Sequence, residues 1–276
     1  MGTRLSGYQP QYFPRLHYFA RMLDSDIFEI SDYLQFVRKH AYRLPDGTNK
    51  RGKSYQAHTP IKLQSGVNLL SIPTHRDGLL PINETRIDYS QNWVTKHLRN
   101  IEAGYSRAPR FAEIFPELKS MLETGYVSLA HLNIITVLWA LARIFGQSQV
   151  RIDDLAVNKI NTLLLEGKHP FRLRKVVLMS ETEIQPAGEG EDANDWIIEV
   201  CRNYGADEYY FGGTASAAYM DFNKYDAAGI KLVEQNWKGL EYAQQFPQTG
   251  FVANLSIVDL LMNADNEQVV EVLAGA

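Results

Sequence analysis

A single cysteine, Cys201, stands in the whole sequence, so no intrachain disulfide can form and the chain fits a reducing compartment. It lies among Ile197, Ile198 and Val200 on an expected helix and reads as a buried structural thiol rather than a nucleophile. Long apolar runs are scarce too. The longest, Leu129 to Phe145, is about a turn too short for a comfortable membrane span. It carries His131, Asn133 and Arg143, so a core helix is expected there. The opening MGTRLSGYQPQYFP lacks the apolar region of a secretory signal. A cytoplasmic protein with no membrane span is the expectation. Basic residues do not dominate: 28 Lys and Arg face 32 Asp and Glu, for a net charge of -4. That balance argues against a nucleic-acid partner, though it leaves a local basic pocket open.

Standard chemical signatures are missing as well. No Gly-rich loop ends in Lys-Ser/Thr, and Phe211-Gly212-Gly213-Thr214 has the wrong glycine spacing for a dinucleotide fingerprint. There is no His-Glu-x-x-His, no cysteine pair and no Gly-x-Ser-x-Gly, so neither a metal site nor a hydrolase elbow is indicated. The cofactor is left unknown.

What is present is ordinary globular composition, 45% hydrophobic and 22% charged over 276 residues, enough for a substantial core. Arg4 to Tyr8 reads as a strand. Gln9-Pro10-Gln11-Tyr12-Phe13-Pro14 reads as a turn, because two prolines fix the chain and remove two donors. Leu16, Phe19, Ala20 and Leu23 recur at helical spacing, and Ile27 to Ile30 reads as a second strand. Residues 33–89 look strand-rich, most clearly at Gln56–Lys62 and Asn68–Ile72. Residues 92–146 look helical, with Asn92 as candidate N-cap. Lys175–Met179, Glu208–Phe211 and Ile230–Glu234 read as strands, and Trp196–Tyr204 as a helix closed by Gly205. Ser256 reads as the cap of a last helix, and the acidic stretch Glu181 to Asp195 as an exposed loop. The expected class is α/β: a mixed sheet flanked by helices, with a helical middle segment. A β-rich α/β part (1–90), a helical segment (91–170) and a C-terminal α/β part (171–276) are expected to form one compact unit.

Several groups could carry chemistry. Asp24-Ser25-Asp26 resembles a metal-holding aspartate pair but precedes a strand, so a solvated helix terminus is the preferred reading. Asp32 lies just past a strand, where α/β sheets bind ligands, and reads equally as an Asx turn. The run from Arg38, Lys39 and His40 through Arg43 to Lys50, Arg51 and Lys53 holds six cations and one acid, Asp46. It could embrace a phosphate, although a solvated loop is the commoner outcome. Asn92, Lys96 and Arg99 share a helix face, with His97 beside them. Histidine can move a proton near neutrality, although a lone helical histidine more often packs or faces solvent.

Gln9-Pro10-x-Tyr12-Phe13-Pro14 with Tyr18-Phe19, Asp26, Asp32 and Gln35 forms one block. Gln91-Asn92-Trp93, Lys96-His97, Ile101, Tyr105, Ala108-Pro109-x-Phe111 and Asn133 form a second. Tyr204-Gly205-Ala206, Gly212, Tyr219, Asp221, Gly229-Ile230, Gln248, Phe251 and Leu255-Ser256-Ile257-x-Asp259 form a third. In this order they resemble WbqC-like proteins across nearly the whole chain. Where such proteins read Ser-Trp-Gln-Asn-Arg, this chain has Ser54-Tyr55-Gln56-Ala57-His58, and Pro60 replaces an arginine. That departure implies a different donor, or the use of Arg51 and Lys62 instead.

The resemblance implies a place in bacterial surface-glycan, O-antigen or lipopolysaccharide synthesis. It also implies a transferase acting on a nucleotide-linked sugar or similar phosphorylated precursor, by acyl or aminoacyl transfer to an amine or hydroxyl. On this reading His97 or Asp32 takes the acceptor's proton. Gln9, Tyr12, Gln35, His58, Asn92 and Asp221 contact substrate, and Lys39, Arg43 and Lys96 neutralise phosphate. The alternative is a non-catalytic binding or scaffold protein of the same pathway, and a hydrolase or nucleic-acid-modifying transferase is a third reading. Homo-oligomers are compatible with all three, and the sequence names neither donor nor acceptor.

Overall fold

A computed structural model describes residues 2–43, 49–184, 192–212 and 220–275, with only the backbone described for 40–43 and 49–51. The chain opens with β1 (Arg4–Tyr8), α1 (Leu16–Leu23) and β2 (Ile27–Ile30). Two antiparallel hairpins follow, β3 (Lys39–Arg43) with β4 (Asn49–Lys53), and β5 (His58–Leu63) with β6 (Gly66–Ser71). The middle is helical: α2 (Trp93–Tyr105), α3 (Phe111–Glu123), α4 (Leu129–Ile144) and α5 (Val157–Glu166). Then come β7 (Lys175–Leu178), α6 (Ala193–Asn203), β8 (Glu208–Phe211), α7 (Phe222–Ala227), β9 (Lys231–Glu234), α8 (Ile257–Asn263) and α9 (Asn266–Ala274).

Five strands make one sheet in the order β7-β2-β1-β8-β9, and every neighbouring pair runs parallel. The expected α/β class holds: a five-stranded parallel sheet and two antiparallel hairpins are flanked by helices. The chain lays down β1, β2 and β7 outward in one direction, then returns to set β8 on the other side of β1. The direction of winding reverses between β1 and β8, which is where an open α/β sheet leaves a crevice at its carboxyl edge.

Both faces of the sheet are covered, as parallel strands require. On one face Phe28 of β2 packs with Leu16 and Phe19 of α1, Trp139 of α4 and Leu260 of α8. On the other, Leu5 of β1 and Tyr209 of β8 pack with Ile197 and Cys201 of α6 and Tyr225 of α7. The switch of faces follows the two-residue period of the strands. The run read as a core helix is α4, buried almost all round, with Ser128 Oγ accepting the His131 amide at 3.2 Å as its cap. No helix among the described residues is long and apolar enough to cross a membrane.

Three local expectations need correction. Asp24 and Asp26 are paired rather than merely solvated: Arg4 Nη1 meets Asp24 Oδ2 at 2.7 Å, and Arg172 Nη2 meets Asp26 Oδ2 at 2.5 Å. Asn92 precedes α2 at φ 45° without a side-chain cap bond, because its left-handed backbone, which asparagine tolerates, turns the carboxamide away from the helix amides. The acidic stretch is shorter than expected, since α6 begins at Ala193 with Asp192 Oδ1 accepting the Asn194 amide at 2.8 Å. Its residues 185–191 lie outside the described residues, as do Asp46, Gly213, Thr214 and Tyr219.

Cys201 is fully buried, and burial pushes its thiol up to about 12. The native protein is therefore expected to show no reaction with a disulfide-exchange dye at pH 8 over minutes, and complete reaction once unfolded. Rapid labelling of the native chain would contradict the structural role.

Candidate functional site

The segment between β1 and α1 holds the site together. Phe13 sits at φ 39°, an unfavourable backbone for a non-glycine residue, and its side chain is fully buried. Three elements fix it there. Thr136 Oγ1 of α4 accepts the Phe13 amide at 3.1 Å, while Thr59 Oγ1 of β5 and Ser256 Oγ before α8 donate to the Phe13 carbonyl at 2.7 and 3.0 Å. Asn133 Nδ2 of α4 donates to the carbonyls of Pro10 and Gln56 at 2.9 and 2.7 Å. Backbone strain held by so many partners is characteristic of functional turns.

The three sequence blocks meet around this turn. The first reaches the second where the Tyr12 hydroxyl lies 3.0 Å from His97 Nδ1, and through the Asn133 bond to Pro10. The first reaches the third through Ser256. The second reaches the third through Tyr105, whose hydroxyl donates to Asp259 Oδ2 at 2.8 Å, beside a Tyr242 hydroxyl donating to Oδ1 at 2.7 Å.

Two polar groups flank the turn. Gln9 Nε2 donates to the Gln35 carbonyl at 3.1 Å, and its Oε1 accepts from Gln56 Nε2. The Gln35 side chain is exposed, and Gln56 is anchored by the Val37 amide at 2.9 Å. On the other side His97 Nε2 lies 3.1 Å from the Ser71 carbonyl. A carbonyl only accepts, so the proton sits on Nε2 and Nδ1 accepts from Tyr12. Burial pushes the His97 imidazole down to about 4, with His58 nearby adding to the effect, so it stands neutral. His58, opposite Ser71 in the hairpin, is itself lowered by burial and by Lys53. Lys96 and His97 line a cleft of about 400 Å³ with Trp93, Gln91 and Asn100.

The other predicted residues lie elsewhere. Asp32, at the carboxyl end of β2, is buried and accepts from the Ser180 amide at 2.9 Å and its hydroxyl at 2.6 Å. It lines a separate cleft of about 510 Å³ that includes His131 and Asn158. Lys39 is an exposed residue of β3, and the side chain of Arg43 lies outside the described residues. Asp221 caps α7, accepting the Asn223 amide at 3.1 Å, beside the core on the opposite face of the sheet. Asn92 stands at the start of α2 without lining the described clefts.

Two buried charged side chains of the β1–α1–β2 unit escaped the sequence reading. Arg21 of α1 is 7% exposed, with its guanidinium over the Tyr8 ring at 5.0 Å and Nε donating to Gln235 Oε1 at 3.0 Å. Glu29 of β2 is 2% exposed and lies over Gly7, where a Cβ would come within 2.5 Å of Glu29 Oε2. Burial pushes its carboxyl up to about 8, partly opposed by the Ser31 hydroxyl at 2.8 Å, so it is largely protonated at neutral pH. A charged residue inside an apolar strand was the signal available for Glu29; Arg21 gave none, because its burial depends on β8.

Residues 9–271 match the WbqC-like protein family. The chain is 26% identical over 263 residues to an uncharacterized protein of Mycobacterium tuberculosis, spanning 94% of this chain and 93% of that one. No solved structure matches.

Proposed function

This chain belongs to the WbqC-like protein family, and on that premise we propose that it is a transferase modifying a nucleotide-linked sugar or similar phosphorylated precursor in bacterial surface-glycan, O-antigen or lipopolysaccharide synthesis. The observation that carries the reading is the braced turn at the carboxyl end of β1, beside the reversal of strand order, with Gln9, Gln35 and Gln56 grouped at its edge. The exposed Gln35 carboxamide at this edge suits sugar hydroxyls, being donor and acceptor at once, while those of Gln9 and Gln56 hold each other in place. Lys96, Lys39 and Arg43 are the cations assigned to phosphate, and the group moved is an acyl or aminoacyl unit passed to an amine or hydroxyl.

The proton chemistry separates the two candidate bases. An imidazole held near 4 is a weak base at neutral pH, and both of its nitrogens already have partners. His97 therefore acts as a positioning residue for Tyr12. Asp32, held by Ser180 on a cleft wall, is the group that takes the acceptor's proton. The expected result is a thermal shift with at least one nucleotide-linked amino sugar. Turnover of that sugar with an acyl donor should fall roughly 10²–10⁴-fold in Asp32→Asn. Undiminished turnover in a folded Asp32→Asn protein removes Asp32 from the mechanism. No shift with any nucleotide-linked sugar favours a scaffold protein instead.

A further inference from the structure

Arg21 is 7% exposed as a residue and has no counter-ion among the described residues. None of the ion pairs among the described residues includes it, and its only side-chain hydrogen bond there leaves from Nε to Gln235. Both Nη atoms are without a hydrogen bond among the described residues. The obvious carboxyl on the neighbouring strand, Glu29, is largely protonated near neutrality and supplies little charge. Taking a cation out of water without a partner is costly, so a position like this persists where something else supplies the charge.

The surroundings point the same way. Gly212 directly follows β8, the strand that pairs with β1 through Arg4–Glu208 and Leu5–Tyr209. A Cβ on Gly212 would come within 2.1 Å of Arg21 Nη2, so any larger residue there would push the guanidinium aside. That location is the carboxyl edge between β1 and β8, where the winding reverses. In the same segment Arg15 Nε and the Tyr18 hydroxyl are buried without a hydrogen bond, although the Arg15 guanidinium lies over the Tyr55 ring at 4.5 Å. The α1 amides are not available to an anion, since Leu16 N donates to the Leu255 carbonyl at 3.2 Å and His17 N to Asn254 Oδ1 at 3.0 Å. Anion recognition here must come from side chains, unlike the helix-terminus arrangement common in such sheets.

We propose that Arg21 binds the diphosphate of a nucleotide-linked ligand at the β1–β8 edge, with Gly212 leaving room for its guanidinium. A planar guanidinium with two free Nη atoms presents the fork that phosphate oxygens accept in pairs. The assignment deepens the transferase reading, rests on it for the rest of the ligand, and puts Arg21 in place of Lys39, Arg43 and Lys96 as the partner of the diphosphate.

The test uses inorganic pyrophosphate and uridine diphosphate as probes, by calorimetry and thermal shift on the full chain. Both are expected to bind the wild-type protein. Arg21→Gln and Gly212→Ala should each weaken both probes roughly 10- to 100-fold, the loss of a charge-assisted hydrogen bond or two. Without ligand, Arg21→Gln should melt no lower than wild type, because the variant removes an uncompensated charge; a merely structural arginine would lower the melting temperature. Arg21→Lys keeps the charge but loses the fork, and is expected to bind more weakly than wild type. Failure of both probes to bind wild type at millimolar concentration overturns the proposal, as does equal binding by wild type and Arg21→Gln. Arg21-dependent diphosphate binding without turnover of any nucleotide-linked sugar sustains this site and sinks the transferase reading. Turnover undiminished in Arg21→Gln does the reverse.

Discussion

Glu117→Ala is expected to lower unfolding free energy by about 3–5 kcal/mol, the cost of stripping a buried ion pair of one partner. Glu117 Oε2 accepts from Trp139 Nε1 at 2.7 Å, and Oε1 accepts from the Val150 amide at 2.8 Å and Arg143 Nη1 at 3.4 Å. The Arg143 side chain is 0% exposed, so water cannot replace the lost carboxylate. Its remaining partner, Glu113, sits at the protein surface and compensates only in part. Glu117→Gln keeps an acceptor for Trp139 or Val150 and is expected to cost less, about 1–3 kcal/mol. Urea denaturation of the three proteins measures both values. A Glu117→Ala midpoint indistinguishable from wild type would show that this network contributes no stability.

The second large effect depends on pH. Glu29 has a folded-state value of about 8, against 4.5 for an ordinary glutamate. Below pH 4.5 both states hold the proton and Glu29 costs nothing. Between 4.5 and 8 the unfolded chain releases it while the folded chain keeps it, so stability falls with rising pH and levels off above 8. His17 and His97 work with the opposite sign. Burial is the main cause holding each near 4, against 6.5 for free histidine, so their contribution is complete above pH 6.5 and is lost as pH falls toward 4. The two trends oppose each other below 6.5, and the interval from 6.5 to 8 isolates Glu29. There, wild-type stability is expected to decline by a few kcal/mol at roughly 1.4 kcal/mol per unit of pKa difference. Glu29→Gln, which keeps the shape over Gly7, should flatten the decline and melt above wild type at pH 8. Parallel profiles for the two proteins would mean that Glu29 is ionised in the fold.

Local patterns carried much of the architecture. Prolines and helical spacing marked β1, the turn, α1 and β2, and the apolar stretch near 129–145 corresponds to α4. The partner of each strand was not legible. Parallel pairing of β1 with β8 joins Arg4 to Glu208 with no local sign in either segment, so the reversal of winding and the seat of Arg21 stayed hidden. Expectations near Asn92 and Asp24–Asp26 went astray because backbone handedness and distant arginines decided them. The motif blocks were readable as sequence, yet their meeting through Tyr12–His97, Ser256–Phe13 and Tyr105–Asp259 is a property of the folded chain.

The long excursion from β2 to β7 has a consequence for how the protein is made. During synthesis β1 and β2 leave the ribosome early, but the flanks that complete their sheet, β7 and β8, emerge well over a hundred residues later. Until then a two-stranded parallel pair with two open flanks cannot be stable alone. The nascent chain must delay, or be shielded, with its most adhesive segment uncovered. Slow refolding from denaturant and self-association of chains truncated before β7 are the expected outward signs of that order of assembly.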